Sequence, residues 1–218
     1  MLVQERMTPN PITVTPDMPV PHALRLMREK KVRRFPVVDS HGALVGIVSD
    51  KDLLHASPSP ATTLSMWEIP DLLARIHISH VMTQKVITVE ANTPLEEAAR
   101  IMADSKVGGL PVMEGERLVG IITETDLFKA LLEMLGGRRQ GVRVAVAVPA
   151  VKGVLSRVTT AIFEVGGNIV GLGMKGINGS YGDKAEIVLK VQDVPMDKLV
   201  AALEPVVDGI MDVREIAA

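Results

Sequence analysis

The sequence predicts an α+β protein: two packed copies of one β-α-β-β-α unit, followed by a separate βαββαβ domain. Three observations carry that prediction. The first half of the chain repeats itself, a glycine-rich break follows the repeat, and the chain beyond the break has a different rhythm of strands and helices. Hydrophobic residues make up 47% of the 218 and aromatics only 2%, so branched aliphatics, methionine and alanine must fill the cores, as suits sheets covered by helices.

The repeat is read by laying Met7-Thr8 over Met82-Thr83. Ile12-Thr13-Val14 then falls on Ile87-Thr88-Val89, Lys31-Val32 on Lys106-Val107, Pro36-Val37 on Pro111-Val112, and Leu44-Val45-Gly46-Ile47 on Leu118-Val119-Gly120-Ile121. Residues 7–53 give 19 identities with one deletion near His41, far above chance. Each copy reads as a short strand (12–14 in the first), then a helix. The helix carries apolar residues at helical spacing: Val20, Ala23, Leu24 and Met27, or Leu95, Ala98, Ala99 and Met102. An Asp17 or Asn92 turn and a proline precede that helix. Two strands follow (35–38 and 44–48 in the first copy), and a last helix begins near Lys51 or Thr125. A unit of about 50 residues is marginal alone, so the copies should pack as a pseudo-twofold pair. The expected divisions are 1–62 for the first copy with its linker, 63–136 for the second and 137–218 for the last domain. Ser57, Pro58, Ser59 and Pro60 open the linker, and residues 67–76 form an amphipathic segment in which Trp67 is read as a packing anchor.

Gly136, Gly137 and Gly141 mark a hinge by composition. Beyond it the pattern gives a strand at 143–148, a helix at 155–165, strands at 168–174 and 185–191, a helix at 195–203 and a strand at 206–216. That order, βαββαβ, is ferredoxin-like. Gly171-Leu172-Gly173-Met174-Lys175-Gly176 spells the dinucleotide-binding fingerprint, but it lies in a strand and runs into a further turn. No helix N-terminus meets a pyrophosphate there, and the motif is rejected.

Net charge is −2, which gives no global attraction to nucleic acid or an anionic membrane. No cysteine is present, so disulfides, thiolate zinc sites and cysteine nucleophiles are excluded. His77 and His80 lie one helical turn apart without a third ligand, so no metal site is assigned. No HExxH, P-loop or Gly-x-Ser-x-Gly element appears, and the chain is read as non-enzymatic. There is no signal-peptide pattern, and no stretch approaches the roughly 18 apolar residues of a spanning helix; a cytoplasmic protein is expected.

Chemistry concentrates at a duplicated corner. Gly46-Ile47-Val48-Ser49-Asp50-Lys51-Asp52 joins a strand to a helix, and Gly120-Ile121-Ile122-Thr123-Glu124-Thr125-Asp126 is its counterpart. A helix N-terminus offers free N–H groups to a phosphate, a hydroxyl can donate to the same group, and a carboxylate can accept both hydroxyls of a ribose. The same spacing also suits plain capping boxes, with Ser49 and Thr123 as caps. The basic run Lys30, Lys31, Arg33, Arg34 is either a solvated helix end or a polyphosphate clamp. Copy two has Gly108-Gly109 in place of the two arginines, so the two clefts should not be equivalent.

The two copies resemble CBS motifs, which pair into a Bateman module. The resemblance covers residues 1–135 and rests most on the two Gly-x-x-Ser/Thr-x-x-Asp stretches and the repeat itself. It implies AMP, ADP, ATP or S-adenosylmethionine as a regulatory ligand, with or without Mg, and no required cofactor. By that resemblance Asp52 and Asp126 contact ribose, Ser49, Thr123 and Thr125 contact phosphate, Arg33 or Arg34 touches the ligand, and Thr13 and Thr88 lie near the base. The C-terminal unit resembles an ACT domain through residues 148–155 and Gly166-Gly167-Asn168-Ile169. It implies an amino-acid site at Gly153 and Asn168, or a dimerisation domain, though the acidic residue common near Pro149 is missing. The combination is similar to acetoin-utilisation proteins. It implies a homodimeric regulator, with a protein partner and a place in acetoin or related carbon metabolism, and neither nucleic acid nor membrane as partner. Vestigial clefts in a structural protein are the alternative.

Overall fold

The computed structural model describes residues 1–56, 75–176 and 184–217. The linker expected at 57–63, most of the amphipathic segment expected at 67–76 and the turn after Gly176 lie outside them. The chain divides into two compact units, Met1–Leu127 and Phe128–Ala218.

In the first unit the strands are β1 (Thr8–Pro9), β2 (Arg34–Val38), β3 (Leu44–Ser49), β4 (Val89–Glu90), β5 (Gly109–Glu114) and β6 (Arg117–Thr123). The helices are α1 (Val20–Lys30), α2 (Asp50–His55) and α3 (Leu95–Ser105), and α4 (Glu124–Met134) begins at its end. Each helix α1 and α3 follows a proline that stands as its N-cap, and each ends on a lysine in the left-handed conformation, Lys31 and Lys106, both at φ 54°. The apolar stripes of these helices lie inward: Val20, Ala23 and Met27 are buried in one, Leu95, Ala98 and Met102 in the other. Phe35, Val37, Val48 and Leu53 complete the first copy's core.

The opening segment of each copy pairs with the other copy. Thr8 and Pro9 pair antiparallel with Ile121 and Gly120 of β6, so β1 is the edge of a sheet in the order β1-β6-β5-β4. In the mirror arrangement Thr83 bridges Ile47 of β3. The residues just before follow suit: the Val3 and Gln4 amides donate to the Thr93 and Ala91 carbonyls, while those of Ile78 and Ser79 donate to Met18 and Pro16. Ile78 is thereby fully buried in the core of copy one, although it sits in the sequence of copy two. The strand expected at 12–14 is shorter in the structure. Only Val14 bridges, parallel to Val37, as Val89 does to Val112. Gly46 and Gly120 lie under the crossing segments, where a side chain at either would press on the thioether of Met82 or Met7 respectively.

The second unit contains β7 (Gly141–Pro149), α5 (Val154–Glu164), β8 (Asn168–Lys175), β9 (Lys184–Gln192), α6 (Met196–Leu203) and β10 (Gly209–Ile216). Its sheet runs β10-β7-β9-β8 with every neighbour antiparallel, the ferredoxin-like order. Val142, Val144, Val146 and Val148 alternate onto the helix-covered face, against Ile187, Leu189, Ile162 and Leu199. The glycine-rich segment expected as a hinge is packed instead. A Cβ on Gly171 would land on the backbone of Leu135, and one on Gly173 would lie 3.0 Å from the Leu135 side chain. The Gly-x-Gly of β8 is a notch for the chain that follows α4.

Two outcomes test these packings. Ile78→Ala removes a fully buried side chain that joins the copies and should cost about 2–5 kcal/mol in urea unfolding. Gly171→Ala should cost about 1–3 kcal/mol in the C-terminal unit, because backbone cannot yield as a side chain can.

Candidate functional site

Because the opening segments are exchanged, each cleft of the first unit is assembled from both copies. The first encloses about 420 Å³ and the second about 460 Å³. In the first, Thr8 and Ile12 of the N-terminal segment and Lys31 and Arg33 beyond α1 face the corner Thr123, Thr125, Asp126 of copy two. In the second, Thr83, Ile87 and Lys106 of copy two face Ser49, Lys51 and Asp52 of copy one.

The corners are capping boxes and cleft walls at once. The Ser49 amide and hydroxyl both donate to Asp52 Oδ2, at 2.8 and 2.7 Å, and the Asp52 amide donates back to Ser49 Oγ at 3.3 Å. The Thr123 amide and hydroxyl donate to Asp126 Oδ2 at 3.0 and 2.6 Å. In each of the two short turns the half-buried hydroxyl residue and aspartate thus fix one another.

The two arginines divide between the clefts. Arg33 Nη2 donates to Thr125 Oγ1 at 3.4 Å in the first. Arg34 opens β2 opposite Ser49, and its guanidinium occupies the place where a side chain at Gly108 would stand; Glu124 Oε2 lies 2.7 Å from that same point. The Gly108-Gly109 pair, read from the sequence as a missing pair of cations, is the seat of the other copy's arginine.

Of the remaining predicted residues, Thr13 and Thr88 are exposed and belong to neither lining; their neighbours Ile12 and Ile87 line the clefts, 39% and 40% exposed. Gly153 stands at the N-cap of α5 at φ 83°, with open space where a side chain would be, and Asn168 opens β8 on the surface; neither lines a described cavity. His80 Nδ1 accepts from the His77 amide at 3.3 Å, and among the described residues no group of three or more His, Asp or Glu side chains could hold a metal ion. Sequence reasoning missed Thr8, Thr83, Lys85 and Glu124 as lining residues. The repeat did place Thr8 on Thr83 and Ile12 on Ile87, but nothing in it said that these segments cross over.

Lys31 and Lys106 share a strained backbone and a place on the rim of their clefts. A β-carbon in the left-handed region costs roughly 1 kcal/mol relative to glycine. Lys31→Gly and Lys106→Gly should each raise the stability of the unliganded protein by up to about 1 kcal/mol in chemical denaturation.

The described helices include none long and apolar enough to cross a membrane. The family model for the CBS domain matches residues 3–59 and 78–133. A CBS domain-containing protein of Dictyostelium discoideum is 35% identical over 136 residues, covering 62% of this chain and 94% of that one. Among solved structures, the CBS domain pair of protein MJ0100, in complex with 5′-methylthioadenosine and S-adenosyl-L-methionine, matches with a TM-score of 0.51 at 26% identity, covering 64% of this chain and 98% of that chain. A Vibrio cholerae structure named for acetoin utilization (AcuB) matches with a TM-score of 0.52 at 32% identity, covering 63% and 95%. With its duplicated corner, its exchanged segments and a family match over both repeats, this chain belongs to the CBS domain family.

Proposed function

We propose that the protein is a non-catalytic regulator that senses an adenosine-bearing ligand, an adenine nucleotide or S-adenosylmethionine, held between its CBS motifs. The observation that carries this reading is the composition of each cleft. An exposed isoleucine offers an apolar wall for a flat base, a carboxylate at a helix start offers acceptors to ribose hydroxyls, and hydroxyls and cations gather around it. In the first cleft Arg33, Lys31 and the N-terminus of the 11-residue helix α4 suit a phosphate or another anionic group. In the second, Lys51, Lys85, Lys106 and Arg34 outnumber Asp52 and Glu124, which suits a polyphosphate with or without Mg. The two ligands of the MJ0100 pair both carry adenosine, which supports the same chemistry here.

The C-terminal βαββαβ unit is read as an ACT-type domain that transmits the response in a homodimer. Helix α4 starts at the corner of the first cleft and ends within that unit's sequence, which makes it the covalent route for a signal. The likeness to the Vibrio cholerae protein supports a place in acetoin or related carbon metabolism. A ligand moves such an equilibrium only by its differential affinity for the two states.

The test is a thermal-shift and calorimetric titration of the full chain with AMP, ADP, ATP and S-adenosylmethionine. At least one should stabilise the fold, by about 2.7 kcal/mol at a hundredfold excess over Kd. Asp52→Asn or Asp126→Asn should weaken binding about tenfold while leaving a cap acceptor in place. The proposal fails if none of the four binds at millimolar concentration, or if both variants bind as the parent does.

A further inference from the structure

The C-terminal unit holds a cavity of its own, on the face of its sheet that no helix of the βαββαβ fold covers. It encloses about 500 Å³ between the sheet and the chain around Leu132 and Leu135. Its walls are largely apolar, from Leu132, Leu135, Met174, Val188 and Ile216, with Lys190 among them. Lys190 is 5% exposed and is the buried charged residue of the described core.

The register places cations opposite one another on this face. Arg214 pairs with Arg143 across β10 and β7, and Arg143 with Lys190 across β7 and β9. Like charges directly opposed on neighbouring strands repel, so such a row needs anions to hold it. Asp212 is the only anion bound to either arginine among the described residues, and it serves both. The hydrogen bonds of Arg214, with the charge of Arg143 nearby, hold its carboxyl below the usual range. Lys175 pairs with Glu186 at 2.9 Å. Lys190 has no ion pair or side-chain hydrogen bond among the described residues, and Gly136, at φ 61°, packs against its stem. Its stem is buried while the residue lines the cavity, so an anion that enters there meets an ammonium with no competing carboxylate and can form a charge-assisted pair with it.

We infer that this cavity binds a small organic carboxylate with an apolar body: its head against Lys190 and Arg143, its chain among Leu132, Leu135, Val188 and Ile216. The site is independent of the two clefts and of the nucleotide reading. One uncompensated lysine beside an already answered arginine calls for a single negative charge, and the apolar walls exclude a small, fully hydrated ion.

The experiment titrates the full chain with butanoate, hexanoate and octanoate, with hexylamine and inorganic phosphate as controls, followed by thermal shift and calorimetry. At least one carboxylate should raise the melting temperature and bind measurably, and neither control should. Lys190→Met keeps the length and apolar stem of the side chain and should weaken carboxylate binding about tenfold or more. The variant's own unfolding transition, and AMP titrated into it, show whether the fold survives. The inference is overturned if no carboxylate binds at about 10 mM, if hexylamine or phosphate binds as well as hexanoate, or if a folded Lys190→Met variant binds as the parent does.

Discussion

The constraint on which the first unit depends is the exchange of opening segments between its two copies. Thr8 pairs with Ile121 and Thr83 with Ile47, and Ile78 packs in a core whose other members come from residues 14–53. Neither copy closes its own sheet. A single copy would leave a strand edge unpaired and a core position empty, and both are expensive for a domain this small. The same exchange builds the clefts, since it carries Ile12 to the Thr123 corner and Ile87 to the Ser49 corner. The pairing of the copies and the walls of the clefts therefore rest on the same segments.

The corners set a structural device on the wall of a cleft. A capping box uses a hydroxyl, an amide and one carboxylate oxygen, and at both corners those bonds converge on Oδ2. A carboxylate has two oxygens and about four acceptor positions, so the two bonds of the cap do not by themselves exhaust the group. This is why weighing cap against ligand contact from the sequence had no single answer. It also means that Asp→Ala at either corner would confound stability with binding, whereas Asp→Asn separates them.

Much of this was legible in the residues. Identity between the copies gave the duplication, and helical and strand periodicity gave most elements to within a residue or two, including the βαββαβ order of the second unit, although the last strand begins three residues later than expected and the strand at 12–14 shrinks to a bridge. What periodicity does not encode is which partner a strand meets, and the crossing of Met7 over Gly120 and Met82 over Gly46 was hidden for that reason. Thr13 and Thr88 were placed near the base, but alternation along an extended chain turns a neighbour's side chain the other way, and Ile12 and Ile87 line the clefts. The glycines at 136 and 137 looked like a hinge because composition cannot distinguish a flexible link from a close approach; Gly171 shows it to be the latter. The buried Lys190 sat unremarked in a strand pattern, since its exposure depends on a face that only the sheet order defines.

The asymmetry of the clefts begins at one dipeptide. Arg33 stands in the bend just before β2 and Arg34 opens that strand, and the two side chains turn to different clefts. One reaches Thr125 in the first cleft, and the other reaches across to Gly108 in the second. Copy two has glycines at both equivalent positions, so it returns no cation from there to either cleft, and the missing side chain at Gly108 is what admits Arg34. A single basic run thus supplies both sites. Arg33 and Arg34 are joined by one peptide bond, so the same short stretch of backbone sets a cation at each cleft.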